Sequence, residues 1–145
     1  MISENSTILM LDFDHYTRPQ LLHYISRRWG FVFRFPFIPF GQLCVQSIDV
    51  RRTRHGFHIR IFVENKIPPM QGVLLQLALG SDYRRECLNY NRIASSLESW
   101  NVLFYQKFDS VGRILSEERP DPQLSRTIAK LIVVFQKGFG RRPHR

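Results

Sequence analysis

Asp12 and Asp14 close an apolar run, Ile8-Leu9-Met10-Leu11-Asp12-Phe13-Asp14, and His58 opens a second, His58-Ile59-Arg60-Ile61-Phe62-Val63-Glu64. In an extended strand residues i and i+2 share a face, so the two carboxylates stand side by side, as a two-carboxylate clamp on a divalent cation requires. If the two runs pair as neighbouring strands, the imidazole joins the carboxylates on one surface. Plainer roles exist for the same residues: strand-end aspartates start turns, and a histidine on a polar strand face often only hydrogen-bonds there. His55 and His58 lack cysteine partners at zinc spacing, which excludes a zinc site of that type.

The elements that would position these groups follow from periodicity. Leu9, Leu11 and Phe13 alternate with Ile8, Met10, Asp12 and Asp14, which predicts a strand over 7–14. Thr17 and Gln20 have capping-box spacing, Pro19 suits a first helical turn, Leu21, Leu22, Ile25 and Trp29 form a stripe, and Gly30 marks a stop. Residues 31–42 read as an irregular Phe/Pro stretch, whose Pro36 and Pro39 forbid a central strand. Cys44 to Arg52 and Phe57 to Glu64 predict a hairpin turning through Arg54-His55-Gly56. Pro68-Pro69 opens a helix carrying Met70, Val73, Leu74 and Leu77, and Gly80 ends it. Ser81-Asp82 caps another, with Tyr83, Cys87, Tyr90, Ala94 and Leu97 on its stripe. Asn101 to Phe108 reads as a last strand.

This β-α-β-β-α-β order predicts an α+β sandwich of the ferredoxin-like or RNA-recognition-motif-like kind, with the first and third strands as central neighbours and the helices on one face. The open face then carries Asp12, Asp14, His58 and Arg60, with Asp49 and Arg51 one strand further out. That domain is expected over 1–109, a linker over 110–120, and a C-terminal helix with a basic tail over 121–145. The helix places Leu124, Ile128, Leu131, Ile132 and Phe135 on one side.

A chain of 145 residues, 43% of them hydrophobic, can bury one core and lies outside the composition of disordered proteins. The formal net charge of +9 favours polyanionic partners. From Pro122 onward the full charges are Arg126, Lys130, Lys137, Arg141, Arg142 and Arg145, with no acid among them. Arg51, Arg52, Arg54 and His55 crowd the expected hairpin turn, and Arg27-Arg28 and Arg84-Arg85 form smaller clusters. Nucleic acid, DNA or RNA, is therefore the expected partner, met through Arg51, Arg52, Arg54, His55, Arg60, Arg84, Arg85, Arg141 and Arg142. Cys44 and Cys87 are too few for a disulfide framework and read as buried thiols. No signal peptide or membrane span is legible, which predicts a cytoplasmic or nucleoid-associated protein with no membrane partner.

The Asp12-Phe13-Asp14 strand end, followed by Arg54-His55-Gly56-Phe57-His58-Ile59 on a later strand, resembles the first two signatures of the archaeo-eukaryotic primase and primase-polymerase superfamily over residues 7–64. The resemblance implies a palm domain acting in replication. In it Asp12 and Asp14 bind Mg2+ or Mn2+, His58 contacts the phosphates of an incoming nucleotide, and a third acid completes the metal site. Asp49 and Asp109 are the candidates for that third position, while Asn89 and Asn91 stand in places where acids would be expected. Without a clear third carboxylate, the leading expectation is a nucleic-acid-binding domain, a degenerate palm that needs no cofactor. The alternative is a metal-dependent primase-polymerase-type nucleotidyltransferase, and a further one is an interaction module forming homo-oligomers through the C-terminal helix.

Overall fold

The computed structural model describes residues 7–35, 41–96, 100–101, 106–108 and 114–140, without the side chains of 106–108, 114–117 and 138–140. Pro36, Phe37, Pro39, Phe40, Leu97, Asp109, Arg141 and Arg142 lie outside the described residues. Along the chain come β1 (Thr7–Asp14), α1 (Arg18–Arg34), β2 (Val45–Arg52), β3 (Gly56–Val63), α2 (Pro69–Ala78), α3 (Tyr83–Ala94), β4 (Gln106–Phe108), β5 (Ile114–Glu117), β6 (Arg119–Pro120) and α4 (Pro122–Gly140). The architecture is mixed α+β, with an antiparallel four-stranded sheet in the order β1-β3-β2-β6.

Alternation decides the register. Leu9, Leu11 and Phe13 lie opposite Ile61, Ile59 and Phe57, and Val50 opposite Ile59, so one face is apolar and fully buried. α1 and α4 pack against each other over that face through Leu21, Ile25, Trp29 and Phe33 on one side and Leu124, Ile128 and Ile132 on the other. α1 starts at the expected capping box: the Gln20 N–H donates to Thr17 Oγ1 at 3.3 Å and the Thr17 N–H to Gln20 Oε1 at 2.9 Å. Gly30 does not stop this helix, which continues to Arg34. An interior glycine costs about 1 kcal/mol, and burying Val32 and Phe33 returns roughly 1.5–3 kcal/mol each. Gly30 also faces α4, where an added Cβ would lie 3.6 Å from the Phe135 ring.

Asp121 caps α4 through the Leu124 N–H at 3.1 Å and pairs with Arg18 at 2.9 Å, tying the starts of α1 and α4 together. The apolar stripe of α4, which from sequence offered a surface for a second copy, is buried in the chain's own core. Within 110–120 two short strands stand: β5 pairs with β4 as a separate ladder, and β6 adds to the main sheet beside Arg51 and Arg52.

A ferredoxin-like order would place the last strand beside β1. Gln106–Phe108 pairs with β5 instead, and the outer edge of β1 is closed by side chains from α2, α3 and beyond. Gln76 Oε1 accepts from the Met10 N–H at 2.9 Å and Ser81 Oγ from the Asp12 N–H at 3.0 Å. Arg85 Nη1 donates to the Met10 carbonyl at 2.8 Å, and Asn101 Nδ2 to the Ile8 carbonyl at 3.2 Å. Glu86, wholly buried, accepts from Gln76, Ser81, Asn89 and Arg85 behind them.

α3 therefore buries Arg85, Glu86 and Asn89 and leaves Tyr83, Cys87 and Tyr90 exposed, the reverse of the face expected from its apolar stripe. The cause is its neighbour: a bare strand edge presents N–H and C=O groups that must be paired, and only polar side chains can pair them. α2 likewise buries Val73, Leu75 and Gln76 and exposes Met70, Leu74 and Leu77. Cys44 too is an exposed thiol rather than a buried one.

Candidate metal centre

On the face opposite the core the register aligns Arg51, His58 and Asp12 in one row across β2, β3 and β1, and Asp49, Arg60 and Met10 in the next. Asp14 lies opposite Gly56, at the start of β3. Here glycine is a steric requirement, because a Cβ at Gly56 would meet the Phe13 carbonyl oxygen at 1.8 Å. The close approach of hairpin and strand end brings Asp14 level with the basic turn.

The third acid comes from a helix start. Asp82 is the N-cap of α3: its side chain accepts from the Arg85 N–H at 3.3 Å, and its own N–H donates to the Asp12 carbonyl at 2.8 Å. Asp12, Asp14 and Asp82 thus converge, each offering a carboxylate oxygen within 4.8 Å of the others, all three partly exposed. The donor set is all hard oxygen, the chemistry of Mg2+, Mn2+ or Ca2+ rather than of zinc, so these residues fit a divalent ion. Asp49 takes no part. It accepts from Arg51 Nε at 2.9 Å and lies 3.8 Å from Arg60 Nη1. The signal for Asp82 was present in Ser81-Asp82, but it identified a helix cap, a role the residue also fills.

His58 is buried, with 5% of its surface exposed. Its Nδ1 lies 2.7 Å from Glu118 Oε2 and its Nε2 3.6 Å from Asp12 Oδ1. Burial pushes the imidazole below its ordinary pKa against the opposing pull of Glu118, and Arg60 and Arg85 lower it further. A neutral ring with its proton on Nδ1 toward the carboxylate satisfies this arrangement. His58 therefore stands as a wall of the carboxylate site rather than as a solvent-facing contact.

Glu118 had no local signature, since it lies between two short strands in a segment with no clear periodicity. It also accepts from Arg60 Nη2 at 3.1 Å and sits 3.8 Å from Arg51 Nε. Of the arginines expected to meet phosphate, Arg51 and Arg60 are thus paired with Asp49 and Glu118, and the Asp49 bond raises the pKa of Arg51. Arg85 faces inward toward Glu86, and burial lowers its pKa. Arg52, Arg54, His55 and Arg84 are exposed. An open groove of about 500 Å³ runs between residues 15–18 and 52–57, beginning one residue beyond Asp14.

Among the described residues no helix is long and apolar enough to cross a membrane. Searches against family models, curated proteins and solved structures find no match to this chain.

Proposed function

We propose that the chain is a nucleic-acid-binding domain with a palm-like divalent-metal site, and that it carries out nucleotidyl transfer at Asp12, Asp14 and Asp82. The convergence of those three carboxylates carries the reading, since it supplies the third acid that a two-aspartate strand end lacks. Kinship with a primase-polymerase palm, and with it a place in replication, belongs to the same proposal. The neighbouring trio β1-β3-β2 agrees with an RNA-recognition-motif-like order over that part of the sheet.

A bound Mg2+ or Mn2+ would neutralise charge developing on a reacting phosphate. The residues of the chain do the rest. Asp12 and Asp14 are held by strand pairing and Asp82 by its cap, so the carboxylates are positioned before any ligand arrives. His58, braced by Glu118, fixes the floor beside Asp12. Arg52, Arg54 and His55 flank the groove next to Asp14 and draw phosphates toward it.

The burial of His58 favours a second reading. A palm whose histidine is closed off from incoming phosphates would bind polynucleotide without catalysis. The two readings separate in one assay: manganese-dependent incorporation of labelled nucleotides on a primed template, run beside polynucleotide binding at low salt. Incorporation that disappears in Asp12→Asn and Asp82→Asn supports the enzyme. Binding without incorporation leaves the non-catalytic domain, and absence of both overturns both.

A further inference from the structure

We propose that a single-stranded polynucleotide runs through the hairpin groove and on along the outer face of α1, over Tyr16 and Tyr24 to Arg27 and Arg28. This rests on the nucleic-acid reading above and specifies the strand type and its route. A second open groove, of about 410 Å³, lies against α1 and is lined by His15, Tyr16, His23, Tyr24, Arg27 and Arg28 with Gln20. It shares His15 and Tyr16 with the groove under the hairpin, so the two join. Among the described residues no Asp or Glu lines either of them.

The charge of α1 is one-sided. Arg18–Arg34 carries four arginines and no acid. Arg18 is paired with Asp121, and Arg34 lies over the Phe135 ring and donates to the Phe135 carbonyl. Arg27 and Arg28 are left exposed, and neither pairs with a carboxylate among the described residues. Gln20, His23, Tyr24, Arg27 and Arg28 follow helical spacing, so they form one stripe beside the buried one, with Tyr24 at its border packed against the core. A helix exterior built only for solubility mixes both signs of charge. This one pairs cations with rings, the composition that binds phosphates and stacks bases.

The rings are held rigid from behind. Phe13 meets Tyr16 edge-on at 5.2 Å and Tyr24 at 5.8 Å, and the two tyrosines meet each other at 6.1 Å. Both stay partly exposed, so a stacking base would meet a preordered surface. At the junction of the grooves His15 adopts φ 62, a left-handed conformation uncommon outside glycine, fixed by its N–H to the His55 carbonyl. Its ring lies 5.9 Å from that of His55. Unpaired bases reach such rings; a duplex keeps its bases stacked inside. An acidic peptide would meet the arginines and leave the rings unused.

The test is fluorescence anisotropy of a labelled oligothymidylate titrated over a range of salt with EDTA present. Arg27→Ala/Arg28→Ala should weaken binding and make the log-log salt slope shallower by about 1.4, at roughly 0.7 per lost phosphate contact on a single strand. Unchanged affinity and slope in the double variant, or equal competition by a duplex or by polyglutamate, overturns the route. If binding depends on Arg52 and Arg54 but not on Arg27 and Arg28, the route fails while the nucleic-acid reading stands. Loss of binding in the Arg27/Arg28 variant of a protein that incorporates no nucleotide supports the route and rejects the enzyme.

Discussion

Replacing Asp82 with Asn isolates the charge of the carboxylate cluster from its structural role. Asn is as good an N-cap as Asp, so the bond from the Arg85 N–H survives, and the backbone bond from residue 82 to the Asp12 carbonyl is untouched. What changes is repulsion. Two unit charges 4.8 Å apart, the upper limit within the cluster, repel by about 0.9 kcal/mol in water and about 3.5 kcal/mol at an effective dielectric of 20. The carboxylates are partly exposed and Arg85 lies close to Asp12, so the lower figure governs. Removing one charge relieves two pairs, roughly 1–2 kcal/mol, and should raise Tm in EDTA by about 3–6 °C for a domain of this size. Manganese at about a hundred times its Kd should stabilise the unmodified protein by about 2.7 kcal/mol, or roughly 8 °C, and Asp82→Asn should lose most of that gain. The two proteins therefore exchange order between EDTA and MnCl2 in a thermal melt. If Asp82→Asn melts lower in EDTA, the carboxylate holds the fold rather than strains it. If the unmodified protein ignores manganese, the cation site is refuted.

Glu86→Ala should cost about 3–5 kcal/mol, because it leaves the buried Arg85 guanidinium without its carboxylate, and the urea midpoint should drop by roughly 2 M. An unchanged midpoint would mean that Arg85 is held without it. His58 has a folded pKa below its ordinary 6.5, so the unfolded chain binds the proton more readily. Stability is then full above about pH 6.5 and falls as pH drops through that value toward the folded pKa. Denaturation in EDTA between about pH 7.5 and 5.5 should show this loss, and His58→Gln should remove part of it. An equal loss in both proteins would show that His58 binds its proton alike in the folded and unfolded chain, and a smaller loss in the unmodified protein would show that Glu118 keeps the ring charged in the fold.

Much of the scaffold was legible because it rests on local rules. The alternation in β1 and β3, the capping box of α1 and the Arg54-His55-Gly56 turn each follow from residues a few positions apart, and together they imply the row of Asp12 beside His58. Gly30 misled because propensity was outweighed by Val32, Phe33 and a neighbouring helix. The face of α3 misleads for a deeper reason: polarity ordinarily implies exposure, whereas Arg85, Glu86 and Asn89 are buried against a strand edge. Asp82 and Glu118 entered the site from a cap and from a segment without periodicity, and their partners in it, Asp12, Asp14 and His58, stand far from them in sequence. No spacing rule reaches across such distances.

The side-chain closure of β1 also has a history within each molecule's folding. Its bonds span 66 residues from Gln76 to Met10 and 93 from Asn101 to Ile8, whereas Leu11 meets Ile59 across 48, so closing this edge carries a larger loop-closure cost than pairing β1 with β3. Until α2 and α3 dock, a growing or partly folded chain displays an apolar strand with a bare edge, the template on which like strands from other chains assemble. Asp12 and Asp14 sit at the end of that strand, where a second copy aligned in parallel register would have to bring carboxylate against carboxylate. Like charges directly opposite one another disfavour that pairing.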